Sequence, residues 1–141
     1  MTRRRANLIR AVAVGYAVLV VVASVLPSGG GAFGGWDEGI STPVQKAGHV
    51  ASYALLVVLL AWAVRPAGPH TPRLLGLVAF GSMVLGLGLE WAQTVIPGRT
   101  GSVQDVLLNA AGAAAGVALT AALRPGRGRK APAAPSEAPQ A

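Results

Sequence analysis

The chain has 141 residues, of which 52% are hydrophobic and 12% charged, with a net charge of +7 and no cysteine. Soluble domains carry about 25% charged residues, so this composition excludes an ordinary water-soluble globule, and the missing cysteine excludes disulfides, thiolate nucleophiles and cysteine-based metal sites. The positive charge leaves nucleic-acid binding and membrane topology as competing explanations, and the placement of the basic residues decides between them.

Four apolar runs follow one another along the chain. The first covers residues 8–26 and is interrupted near its start by Arg10. The second, 47–64, carries His49, Ser52 and Tyr53 in its first half and is apolar afterwards. The third, 74–96, has Glu90 and Gln93 near its end, and the fourth, 103–123, is polar at Asp105 and Asn109, then small and apolar. Each run has about 18–23 residues, and at about 1.5 Å per residue such a helix crosses a hydrocarbon core of about 30 Å. The connections break helices: a Gly-rich loop at 27–45, a stretch with three prolines at 65–73, and a turn at 97–102 that opens with Pro97 and Gly98. The expected fold class is therefore all-α, an integral membrane four-helix bundle over residues 8–123. A short basic segment (1–7) precedes it, and a Pro/Ala-rich tail (124–141) of disordered composition follows. A cleaved signal peptide over 1–26 would also fit a basic start and an apolar stretch. The run is longer than a usual signal core and no clean A-x-A site precedes the Gly-rich loop, so it is read as a retained span.

Arg3, Arg4, Arg5, Arg10, Arg65, Arg73, Arg124, Arg127, Arg129 and Lys130 fall on one side of such a bundle, ten of the twelve basic residues. Only Lys46 and Arg99 fall on the other. The positive-inside rule then sets both termini in the cytoplasm, in a multi-pass protein of the cell membrane. The charge is explained by topology and membrane lipids, and nucleic acid is not expected as a partner.

With that topology the unusual polar residues gather at the outer face. Lys46, His49 and Tyr53 are spaced i, i+3, i+7 and share one face of the second helix. Glu90 and Gln93 share a face of the third. Asp105 and Asn109 share a stripe of the fourth that continues through Gly112 and Gly116, and Arg99 stands in the turn between the last two helices. Glu90 lies seven residues before Pro97, about 10 Å down the helix, where a lone charge costs about 2.5–3.5 kcal/mol on insertion scales. It must face the bundle and be paired or neutralised, with Lys46, His49 and Arg99 as the candidate partners. The bland alternative is that these groups only hold helices together. Interhelical polar contacts average about 0.6 kcal/mol each, and so many charged groups are a costly way to obtain glue. Gly112 and Gly116 form a small-xxx-small pattern and are read as packing. Trp36 and Trp62 are read as interfacial anchors, Trp91 as facing lipid or a neighbouring span, and His70, Asp37 and Glu38 as solvated loop residues.

Residues 46–62, "KAGHVASYALLVVLLAW", and 89–117, "LEWAQTVIPGRTGSVQDVLLNAAGAAAGV", together resemble the VanZ-like family of small bacterial membrane proteins. That family shows K-x-x-H-x-x-x-Y, then E-x-x-Q, a P-G-R turn and D-x-x-x-N-x-x-G. The matching positions are Lys46, His49, Tyr53, Glu90, Gln93, Pro97, Arg99, Asp105, Asn109, Gly112 and Gly116. One departure is Gln45, where the family often has an acidic residue. The resemblance implies a link to the cell envelope and to resistance against the glycopeptide teicoplanin, without a settled mechanism.

Three functions compete. In the first, a binding module, Lys46 and Arg99 hold an anionic group such as an envelope-lipid phosphate or a glycopeptide-related ligand, and Glu90, Asp105 and Asn109 orient them. In the second, an intramembrane enzyme, Glu90 and His49 act as acid and base, although no nucleophile motif, H-E-x-x-H or Gly-rich phosphate loop is present. The third is a scaffold whose Gly112–Gly116 stripe docks a partner, a second copy of the chain included. No cofactor is expected and no metal site is assigned: two carboxylates and one histidine hold a divalent ion only if they converge.

Overall fold

The computed structural model describes residues 2–26, 42–65 and 70–123. The expectations for most of the Gly-rich loop (with Trp36, Asp37 and Glu38), for residues 66–69 and for the tail with Arg124, Arg127, Arg129 and Lys130 lie outside these residues. The described chain forms four helices, α1 (Arg3–Val25), α2 (Thr42–Val64), α3 (Pro72–Gln93) and α4 (Val103–Ala122). All four are long and apolar enough to cross a membrane.

Local chemistry explains where the boundaries depart from the apolar runs. α1 starts at Arg3 rather than at 8 because arginine is a good helix former, and Arg3, Arg4 and Arg5 all project outward. α2 starts at Thr42, earlier than the apolar run at 47, since Pro43 is tolerated in a first turn. That extra turn brings Lys46 into the helix. α3 opens on a Thr71 cap, whose hydroxyl accepts from the Leu74 N–H, with Pro72 just inside. It ends at Gln93 rather than at 96. There the N–H groups of Thr94, Val95 and Ile96 turn to carbonyls three residues back, Trp91, Ala92 and Gln93, at 3.1, 3.1 and 3.4 Å. The backbone tightens in this way just before Pro97, which disfavours continued helix.

Neighbouring helices run antiparallel, so α2 and α4 are parallel, and these two pack most extensively. The reason is the glycine stripe. A Cβ on Gly112 would strike the Val50 carbonyl oxygen and lie 3.0 Å from the Tyr53 Cβ. One on Gly116 would lie 2.5 Å from the Ala54 oxygen and 2.8 Å from the Val57 Cβ. Backbone meets backbone at both levels, as small residues permit between membrane helices. The expected packing partner is thus within the same chain. Beside this seam Val20, Tyr53, Leu56 and Leu89 form the apolar centre. Leu77, Phe80, Val84, Leu107 and Leu119 face outward, as does Trp91, matching helices solvated by lipid.

α1 leans on α2 and α3. Arg10 Nε donates to the Ala63 carbonyl at 3.3 Å near one end of the bundle, and the Tyr16 hydroxyl donates to the Ser52 carbonyl at 3.3 Å further along. Buried hydroxyls are satisfied within their own helices: Ser82 donates to the Val78 carbonyl at 2.9 Å and Thr120 to that of Gly116 at 2.8 Å. His70 departs from its expectation. It is buried rather than solvated, only 5% exposed, with its ring centroid 5.1 Å from that of Trp62. Burying the imidazole face against the indole removes apolar area of both rings from water. Trp62 is accordingly half-buried against His70.

Candidate functional site

The α2 start, the α3 end and the α4 start meet at one end of the bundle, and the predicted polar residues divide there into two groups. The first is built around Glu90, which is 5% exposed. Its Oε2 accepts the Ser102 backbone N–H at 3.1 Å. Ser102 is the N-cap of α4 and uses its own hydroxyl to accept from the Gln104 N–H at 3.2 Å. A capping box normally covers the N-cap N–H with the acidic residue three positions on, here Asp105. Glu90 of α3 takes that task instead, with its negative charge against the positive end of α4.

This contact depends on the turn. Among the described residues Gly98 alone has a left-handed backbone, φ 76°, a conformation that costs glycine nothing. A Cβ on Gly101 would strike the Glu90 carbonyl oxygen and lie 2.8 Å from the Thr94 Cγ2. Only glycine lets the turn lie close enough to α3 for Ser102 to reach the carboxylate.

The other Glu90 oxygen faces α2 and α4. Oε1 lies 3.5 Å from the Asn109 Nδ2 and 4.0 Å from the His49 Nδ1. His49 Nδ1 in turn lies 2.9 Å from the Asn109 Oδ1. One ligand atom each from His49, Glu90 and Asp105 all lie within 4.8 Å of one another. The three groups therefore converge on one spot. At that separation two ionised carboxylates repel by roughly 3 kcal/mol at an effective dielectric of about 20, less where solvent reaches Asp105. Among the described residues the basic side chain that comes within 4.0 Å of the Glu90 carboxylate is that of His49, and no ion pair joins Lys46 to Glu90 or Asp105. Lys46 stands a turn before His49 on the same helix face, half-buried at the rim. The His49 side chain is 31% exposed, so the cluster opens at its imidazole.

The second group faces α1. Arg99 donates from Nε to the Leu26 carbonyl at 2.9 Å and from Nη2 to that of Ala23 at 3.0 Å, while Gln93 Nε2 donates to that of Ser24 at 2.9 Å. The last carbonyls of a helix have no partner within it, and these two side chains supply partners from α3 and the following turn. Both residues thus tie α1 to the bundle, a task different from the ligand contact expected of Arg99. Tyr53 is buried in the apolar centre, and a Cβ on Gly86 would lie 3.0 Å from its hydroxyl oxygen.

The VanZ/LLP1 family model matches residues 12–124, which takes in all of the converging residues. The chain belongs to the VanZ/LLP1 family. The match reaches well beyond residues 46–62 and 89–117, which carry the sequence resemblance, and includes most of α1. This VanZ/LLP1 protein is a multi-pass membrane protein with four candidate spans. No curated relative and no solved structure matches it.

The sequence reading missed Ser102, Gly101 and Gly86. Ser102 was readable, since Ser-x-x-Asp ahead of an apolar run is a helix-start pattern. The roles of the two glycines were not, because each depends on what another helix brings within contact distance.

Proposed function

We propose that this VanZ/LLP1 protein is a binding module of the bacterial cytoplasmic membrane, with both termini in the cytoplasm and the polar cluster at the outer face. Its ligand is the head group of an anionic envelope lipid, or of the lipid-anchored target of a teicoplanin-type glycopeptide. The observation that carries the reading is the convergence of His49, Glu90, Asp105 and Asn109 from three helices on one spot that opens at His49. Structural glue would not need an opening, nor two carboxylates held close together in a membrane protein. The engagement of Arg99 with α1 shifts ligand contact to Lys46 and His49 at the rim, and Asn109 and Asp105 supply the polar contacts below.

The test is binding of the purified full chain to vesicles with and without a phosphorylated envelope lipid. Lys46→Met and His49→Ala should each weaken lipid-dependent binding, and equal binding by the double variant would refute the reading. In cells, deletion should change susceptibility to envelope-active antibiotics, glycopeptides included. A second reading, an intramembrane enzyme, is favoured by the 4.0 Å approach of His49 to a buried Glu90, an acid–base pair. Turnover of an envelope lipid that disappears in Glu90→Gln would support it over binding alone. The scaffold reading loses its main support, because Gly112 and Gly116 are covered by α2.

A further inference from the structure

The cluster holds a combination that the lipid reading leaves unexplained. Two carboxylates come close together where the bundle would receive an anionic ligand, and among the described residues Lys46 forms no ion pair with either. A protonated His49 would offset one negative charge and leave the other. Glu90 Oε1 is the sharper observation. It belongs to a carboxylate that is nine-tenths buried, yet the hydrogen bond it accepts from Asn109 Nδ2 is 3.5 Å long, the outer limit of such a bond. A buried carboxyl oxygen with so weak a partner, aimed between an imidazole and a second carboxyl group, is the environment of a cation ligand.

We propose that His49, Glu90 and Asp105 form a binding site for a divalent first-row metal ion of the Zn²⁺ type. The three donors come from three helices and lie within 4.8 Å of one another. Ligand bonds of about 2.0–2.2 Å put donor atoms about 3.5 Å apart in a tetrahedral site, so rotations that move each by about 1 Å seat the ion. An imidazole among oxygen donors selects zinc, manganese or iron over magnesium and calcium, which take oxygen ligands almost throughout. His49 binds as the neutral base through one ring nitrogen. Asn109 then orients the site from α4, as polar neighbours of metal ligands commonly do. Three protein ligands leave a tetrahedral ion one open position, and the half-exposed His49 marks the side on which it opens.

The metal site stands without any lipid. Its link to function rests on the preceding reading: an ion there neutralises the paired carboxylates and offers its open position to a phosphate oxygen. Repulsion of an anionic head group by Glu90 and Asp105 becomes attraction through the metal.

The experiment uses the full chain, purified in detergent, stripped with a chelator and dialysed against Zn²⁺ alone. One ion per chain should be retained, and Co²⁺ in its place should give visible d–d absorption. Asp105→Asn and His49→Gln should each weaken Zn²⁺ binding by at least about tenfold, while His70→Gln leaves it unchanged. Asp105 is half-exposed in a first helical turn, so its variant tests the ion without disturbing the α4 cap, and helicity by circular dichroism verifies that each variant is folded. Retention no greater in the wild type than in the His49→Gln/Asp105→Asn double variant overturns the site. Equal competition by Mg²⁺ overturns the assignment to a first-row metal. The vesicle assay separates the two proposals: Zn²⁺ retained without lipid binding removes the head-group reading alone, and lipid binding without Zn²⁺ retention removes the metal site alone.

Discussion

Gly112→Ala tests whether the α2–α4 seam determines the site. The added methyl would overlap the Val50 carbonyl oxygen and sit 3.0 Å from the Val50 Cα and the Tyr53 Cβ. Carbon atoms pack at about 3.5–4.0 Å, so relief by moving the carbon contacts alone requires α4 to withdraw by about 0.5–1 Å. Backbone lines one side of the gap, and no flexible side chain there can swing away. Overpacking of this kind costs about 1–3 kcal/mol. Alanine recovers up to about 1 kcal/mol of helix propensity, which leaves a net loss of about 0–2 kcal/mol and a gap of about 1–3 kcal/mol from a glycine-to-alanine change that meets no contact. Gly88→Ala is the matched control, because a Cβ at Gly88 has nothing within 4 Å. It should be neutral or stabilising by up to about 1 kcal/mol. Reversible unfolding of both variants in mixed detergent micelles, followed by circular dichroism, measures the difference. The same withdrawal carries Asn109 away from His49, now 2.9 Å apart, so ligand and Zn²⁺ binding should fall in Gly112→Ala and hold in Gly88→Ala. Equal stability of the two variants, with equal binding, would refute the claim that backbone contact at Gly112 sets the spacing of α2 and α4.

Three further outcomes follow from the same geometry. Arg99→Gln removes hydrogen bonds from a charged donor to the Leu26 and Ala23 carbonyls. It should cost about 1.5–3 kcal/mol and raise protease sensitivity at the end of α1, while leaving Zn²⁺ binding unchanged. Gly101→Ala drives a methyl into the Glu90 carbonyl and should destabilise by about 1–3 kcal/mol. It should also weaken Zn²⁺ binding, since Ser102 can no longer hold the carboxylate in place; unaltered binding would detach the turn from the site. The orientation is tested by reporters fused after residue 141: green fluorescent protein should fluoresce and alkaline phosphatase should be inactive, and the reverse pattern would place the cluster on the cytoplasmic side.

Much of the architecture is determined by the sequence alone. Four apolar runs of spanning length, separated by proline and glycine, leave a chain with too little polar surface few options besides a membrane bundle. Helix periodicity places His49 and Tyr53 on one face and Asp105, Asn109, Gly112 and Gly116 on another. Those are local properties, set by a repeat of about 3.6 residues per turn. The family resemblance, carried by the same spacings, holds across α1 as well.

Only the tertiary structure decided which groups meet. Arg99 and Glu90 are both charged residues beside the same turn, and nothing in their spacing separates them. Arg99 turns to the free carbonyls of α1, residues more than seventy positions away, while Glu90 turns to the N-terminus of α4. Lys46 does not reach Glu90, and His49 does, because the glycine stripe draws α4 against the face of α2 that holds His49 and Tyr53. Charge alone would have paired every cation with the nearest acid. Backbone groups left open at helix ends compete for the same side chains, and helix packing sets which of those partners lies within reach.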